Sequence, residues 1–318
     1  MSDILKGLTG GGWIFLSAWI FPSAIALGAF WLIVFPDVKD LPFLAEIGAL
    51  TVAQQGLVVA FSAMACGFTL SAASTPLYRL LEGYTWPKYL RDLGVERQRE
   101  RKQSLNSTEP GVGWEEGLRL EKLRRFPVDE NEIAPTRLGN ALRAFETYGK
   151  DRFCLDSQTL WTELYAVVPE SLQLELDRSR ALVDFFVALV YLSAGYSVVA
   201  LLAAWHVGGF DIKLIASGVG ALALTIVWYH LAISSSSYWH VTVQALVNIG
   251  RKELAGSLGL KLPKTFDEER KMWGLVTQFV FYPYHSSVSA QLDDYRHVSV
   301  IVDTPVEKAA SLEDGAAG

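Results

Sequence analysis

Charge disappears from four long stretches of this 318-residue chain, and the spacing of those stretches predicts the architecture. One charge-free run covers Thr9 to Pro36. No Asp, Glu, Lys or Arg then falls between Glu46 and Arg79, between Asp184 and Asp211, or between Lys213 and Arg251. About 20 consecutive apolar residues cross a ~30 Å hydrocarbon core. A helix packed in a soluble core would instead carry an amphipathic stripe. The pattern therefore predicts four transmembrane helices, at Trp13–Phe35, Leu50–Ser74, Ala181–Trp205 and Leu214–Ile233. Trp13, Trp31, Trp205 and Trp228 sit near their ends, where interfacial aromatic belts form. The first run is too long for a signal-peptide core, and Lys6 alone supplies charge ahead of it.

The polar segments also read as helical. Leu77–Gln103 continues the second span, with Leu77, Leu81 and Tyr84 on one face and Pro76 at the junction, as a kink or as a new start. SLNSTEPGVG (104–113) has the Ser, Gly and Pro content of a loop. A helix opening at Pro135 carries Leu138, Leu142 and Phe145 at helical spacing and closes at Gly149. A second one, capped by Asp156 or Ser157, buries Leu160, Trp161 and Leu164. Pro169 starts a helix that runs into the third span, and the fourth span extends through SSSSYWHVTVQALVNIGRKELAGSL. TFDE, from Thr265 to Glu268, has the form of a capping box ahead of an apolar face at Met272, Leu275 and Phe279. The acidic stretch from about Tyr282 onward is expected to be disordered.

The fold class expected is all-α, a polytopic membrane protein with a helical cytoplasmic domain. Its parts are spans one and two (1–76), a helical insert (77–180), spans three and four (181–233), a helical C-terminal region (234–281) and a tail (282–318). Lysine and arginine set the orientation. Of 28, the insert holds 17 and the region after span four holds 8, while the loops 36–49 and 206–213 hold one each. Basic residues stay inside, so both termini and the insert are expected in the cytoplasm, beneath the inner membrane. The insert's 17 basic residues face 18 acidic ones, and the net charge is −6, which excludes a nucleic-acid partner. Cys66 and Cys154 fall in a span and in the insert, where ordinary reduced thiols are expected.

Catalytic motifs are missing. There is no phosphate-binding loop, no nucleophile elbow and no dinucleotide fingerprint. His230 and His240 stand ten apart on one expected helix, on different faces, and Glu115–Glu116 lacks partner histidines. No enzyme activity, cofactor or metal is expected. Span two holds the candidate site instead. Gly56, Ala60, Ala63, Gly67 and Ser71 form a small-residue face that lets helices approach closely, with Gln54 and Gln55 near its outer end. Leu57, Phe61, Met64 and Phe68 form a bulky stripe beside it. Two readings stay open: the small face packs on neighbouring spans, or span two lines a pore in which Phe61 and Phe68 form a hydrophobic constriction. Asp184, one turn inside span three, is expected to pair with Arg178, Arg180 or a basic residue below span two, with Arg180 as the juxtamembrane partner, or simply to reach water.

The order of parts resembles the bestrophin family of pentameric anion channels, in which the second span lines the pore and carries an aromatic neck. GFTLSAASTPLYRLLEGYTWP (67–87) is similar to that region, with Leu80–Leu81 where the family has paired tryptophans. The same topology resembles stator proteins of the MotA/TolQ type, whose prolines in spans three and four are lacking here. PTRLGNALRAFETYGKDRFCLDSQTLWTELYAVVPESL (135–172) resembles a segment of an uncharacterised family of bacterial four-span membrane proteins, which implies a compartment but no activity. The function expected is a homo-oligomeric, channel-like pore with span two innermost. The alternative is a non-conducting scaffold whose cytoplasmic helices dock a cytosolic protein.

Overall fold

A computed structural model describes residues 11–107, 112–207, 211–282 and 284–296. The described residues are helical throughout, apart from turns and one isolated β-bridge between Leu260 and Arg296. Four helices are long and apolar enough to cross a membrane. They are α1 (Gly12–Val38), α3 (Val52–Ala72), α10 (Glu170–His206) and α11 (Ile212–Ser257). Short helix α2 (Pro42–Gly48) joins the first two.

The two long helices form a hairpin around which everything else is arranged. At ~1.5 Å per residue, the 37 residues of α10 run about 55 Å and the 46 of α11 about 69 Å. Both exceed a ~30 Å hydrocarbon core, so each continues well beyond its apolar run. Small residues let them pack closely. A Cβ on Gly218 would stand 2.9 Å from Leu201 Cγ, and Ala200, Ala203, Ala204 and Ala221 are buried in the same bundle. Asp211 caps α11 by accepting from Lys213 N at 2.9 Å. Lys213 Nζ also meets Asp37 Oδ2 at 2.9 Å, tying the end of α1 to the start of α11. The four apolar helices lie in the order α3, α1, α10, α11, with α1 between α3 and α10.

A second, more polar domain is built on the hairpin's polar extensions. From the insert come α4 (Ser74–Glu82), α5 (Lys88–Ser107), α6 (Trp114–Leu123), α7 (Arg137–Glu146), α8 (Tyr148–Phe153) and α9 (Trp161–Val167). From the C-terminal region come α12 (Phe266–Phe281) and α13 (Ser286–Asp293). One core joins Leu138, Leu164, Leu176, Leu246, Met272 and Trp273, contributed by α7, α9, α10, α11 and α12. Insert, hairpin and C-terminal region therefore fold as one body. Ser179 Oγ and Thr242 Oγ1 lie 2.8 Å apart, fully buried, and hold the hairpin together inside this domain. Glu269 is buried too. Arg251 Nε meets it at 2.7 Å and Trp273 Nε1 donates to the same oxygen at 3.3 Å, which satisfies a carboxylate that would otherwise be costly to bury.

Several sequence expectations shift. The helix after span two is not continuous to Gln103: it bends at Ala73 and ends at Gly83, whose φ of 88° suits glycine. Pro76 has no N–H to give to Ala72, which explains a break one turn ahead of it. Thr136, not Pro135, caps α7, accepting from Gly139 N at 3.0 Å. Gly149 does not close that helix but lies inside α8, where a Cβ would meet Leu155 O at 2.7 Å; the left-handed cap falls to Cys154 at φ 58°. Thr265 caps α12 as expected, yet the capping box with both reciprocal bonds sits at Thr51 and Gln54. Residues 286–296, expected to be disordered, comprise α13 and the turn after it, and dock through Leu292 and the bond from Lys261 N to Tyr295 O at 2.7 Å. The rest of the expected disordered tail, 297–318, lies outside the described residues.

Asn140 organises the entry to α7. Its Oδ1 accepts from Ala134 N at 2.8 Å, and its Nδ2 donates to Ala134 O and Thr136 O at 2.9 and 2.8 Å, all buried. Asn140→Ala is expected to lower unfolding free energy by about 2–4 kcal/mol, because it leaves buried backbone groups unpaired; chemical denaturation in detergent measures this.

Candidate functional site

The second span, α3, is the least covered of the four apolar helices. It starts at Thr51, whose hydroxyl accepts from Gln54 N while Gln54 Oε1 accepts from Thr51 N at 3.0 Å. Gln55 turns back to donate to Leu50 O at 3.1 Å and to Gly48 O at 3.3 Å. Both glutamines thus hold the α2–α3 turn in place.

The small-residue face divides in two. Ala63 and Gly67 are buried against α1, and a Cβ on Gly67 would meet Ile20 Cγ1 at 2.9 Å and Trp19 O at 3.1 Å. Ser71 is half-buried one turn on. Toward the other end the helices part: Gly56 has open space around it, and both Gly56 and Ala60 are exposed. On the face of α3 beside the packed one, Leu57, Phe61, Met64 and Phe68 are exposed, with Phe61 at 66%. Phe68 alone of these touches another ring, with its centroid 5.0 Å from Phe15.

Where α3 bends into α4, three side chains join this span to the hairpin. Tyr78 Oη donates to Asp184 Oδ1 at 2.7 Å, and Arg180 Nε stands 3.8 Å from Asp184 Oδ2. Asp184 is buried. Two turns further along α10, Tyr191 Oη donates to Leu77 O at 2.7 Å. The sequence reading named Asp184 and Arg180 but missed both tyrosines. The available signal was the Tyr78 hydroxyl placed just after the Pro76 bend, at the same depth as an aspartate that needs a donor.

No protein-family model, curated protein or solved structure matches the chain.

Beneath that junction, α4 meets α7 in a group of carboxylates gathered around Arg143. Arg143 Nε pairs with Glu132 at 2.9 Å, its Nη1 reaches Glu146 at 3.4 Å, and Lys150 Nζ lies 3.8 Å from Glu132. Burial, reinforced by Glu146, pushes the Glu82 carboxyl up to about 7 against the opposing pull of Arg143 and Arg79. Burial also raises Glu146, opposed by Arg143. A carboxyl whose folded pKa exceeds its unfolded value binds protons more tightly when folded. Its penalty is absent below the ordinary value of 4.5 and fully developed above about 7.

Two outcomes follow. Gly67→Leu is expected to cost about 1–3 kcal/mol by forcing α3 from α1, whereas Gly56→Leu, facing open space, leaves thermal unfolding in detergent nearly unchanged. Glu82→Gln is expected to raise the unfolding temperature at pH 7.5, leave it unchanged at pH 4, and flatten the decline in stability between those values; thermal scans across pH measure both.

Proposed function

We propose that this protein is an integral membrane protein that assembles as a homo-oligomer through α3 and forms a channel-like pore with α3 innermost. One observation carries the reading: α3 is covered mainly where it meets α1, and the face beside that contact presents Leu57, Phe61, Met64 and Phe68 to whatever surrounds the chain. Of the four apolar helices it is also the least apolar. Copies arranged about an axis would bring that stripe together as a ring, and rings of bulky apolar side chains gate by excluding water. The Tyr78–Asp184 bond would couple movement of the domain to α3, because α4 follows directly from the bend. The likeness of residues 67–87 to the pore-lining region of bestrophin-type channels points the same way. The polar extensions would then lie in the cytoplasm, by the distribution of lysine and arginine.

A specific surface favours the second reading, a non-conducting scaffold. A groove of ≈ 1020 Å³ runs between α8, α12 and α13, bordered by Phe279, Phe281, Tyr282 and Tyr284, all exposed. Such a surface suits a protein partner.

Reconstitution separates the two. Wild-type protein in liposomes is expected to pass ions, and Phe61→Ala or Phe68→Ala to raise that flux several-fold by widening the constriction. In a background of Cys66→Ala and Cys154→Ala, Met64→Cys is expected to cross-link between copies, and Ile226→Cys, on the exposed side of α11, is not. No flux from wild type and both variants, with a monomer that retains a soluble partner, favours the scaffold.

A further inference from the structure

A cationic pocket lies where α11 leaves its apolar run. Arg101 of α5, Lys122 of α6, Arg125 just beyond α6 and Arg137 of α7 line a cavity of ≈ 90 Å³, with Gln98 of α5 and His230 of α11 completing its wall. No Asp or Glu lines it among the described residues. Arg125 Nη2 has a partner outside, Glu121 Oε1 at 2.6 Å, but Arg101, Lys122 and Arg137 form no ion pair among the described residues. Asn140 also borders the cavity, and its polar atoms are already spent on Ala134 and Thr136.

Four cations converging without an acid repel one another, and such an arrangement persists where an anion neutralises it. Unpaired polar atoms mark the same place. Among the described residues six buried side-chain polar atoms lack a partner, and two of them, Gln98 Oε1 and Arg125 Nε, belong to this one small cavity. Gln98 is 8% exposed. Buried donors without acceptors are costly, so Arg125 Nε needs an acceptor from outside the chain. Gln98 can rotate its amide to donate, or accept from a protonated oxygen.

The chemistry of the missing group follows. Guanidinium forks match tetrahedral oxyanions bidentately. One water needs roughly 10–15 Å³ of such space, so the cavity takes a group of about five heavy atoms and excludes a nucleoside. Ile233, which also borders it, is the last residue before the serines 234–237. The pocket therefore stands at the depth where phosphates lie if α11 crosses a bilayer. We propose that it binds a phosphate-type oxyanion, carried on an anionic lipid head group or free in solution, and so pins α5, α6 and α7 to α11. This inference does not depend on whether the protein conducts.

Thermal unfolding of the full chain in detergent tests it. One arm replaces chloride with inorganic phosphate at fixed ionic strength, and the other adds phosphatidic acid or, as control, phosphatidylcholine. Phosphate, phosphatidic acid or both are expected to raise the unfolding temperature, and phosphatidylcholine to have no effect. A response to phosphatidic acid alone assigns a lipid head group, and a response to inorganic phosphate assigns the free ion as well. Arg101→Gln with Arg137→Gln removes two charges without ion-pair partners among the described residues, Arg101 half-buried and Arg137 exposed. It is expected to weaken the response at least tenfold in concentration without lowering stability in the absence of anion. Lys122→Gln provides a second variant should the pair fail to fold. No response from wild type, or an equal response from the variants, overturns the proposal.

Discussion

The structure depends on one constraint: two adjacent helices must pack against each other along their whole length, through an apolar half and then a polar one. In the apolar half Gly218 of α11 lies close against Leu201 and Ser197 of α10, and close approach supplies dispersion energy there. In the other half the hydrophobic effect takes over, with Val243, Leu246 and Val247 buried under α7 and α9. The Ser179–Thr242 hydrogen bond marks where the two regimes are joined inside the domain. Because the hairpin passes from its apolar half to its polar half without a break, the polar domain is not tethered to the apolar helices. It is continuous with them.

That continuity gives α3 its role. It reaches the hairpin mainly through α1 on the apolar side and through Tyr78, Asp184 and Tyr191 at the bend. A helix held at one face and at its base, and bare elsewhere, can exchange neighbours without disturbing the core. The carboxylates Glu82, Glu132 and Glu146 gathered around Arg143 lie directly under that base. The cationic pocket lies on the other side of α7, against α11.

Much of the fold was legible because charge is expensive in hydrocarbon and its absence is easy to see. The four apolar helices, the start of α10 after Pro169 and the extension of α11 to Ser257 all follow from runs and caps in the sequence. What could not be read were events decided by neighbours. Gly149 reads as a helix stop, yet it is a point of close approach to Leu155, and the stop falls at Cys154 because the chain must turn there. The polar stretch after Tyr282 reads as disorder, but Leu292 and the backbone of Tyr295 find partners distant in sequence. In the candidate site, the small-residue face of α3 was legible as a face; that Ala63 and Gly67 would be covered while Gly56 stood open depended on the angle of α1. Tyr78, Tyr191 and the basic pocket were missed for the same reason, since their meaning lies in contacts across tens of residues.

Hydrogen exchange of the full chain in lipid nanodiscs tests the continuity of the hairpin most directly. The account expects amides of residues 239–255, outside the apolar run of α11, to exchange as slowly as those of 171–187 in α10, with no fast-exchanging break at the serines 234–237. Rapid exchange across 234–257, with slow exchange confined to the apolar run, would contradict it and return the domain to a tethered appendage.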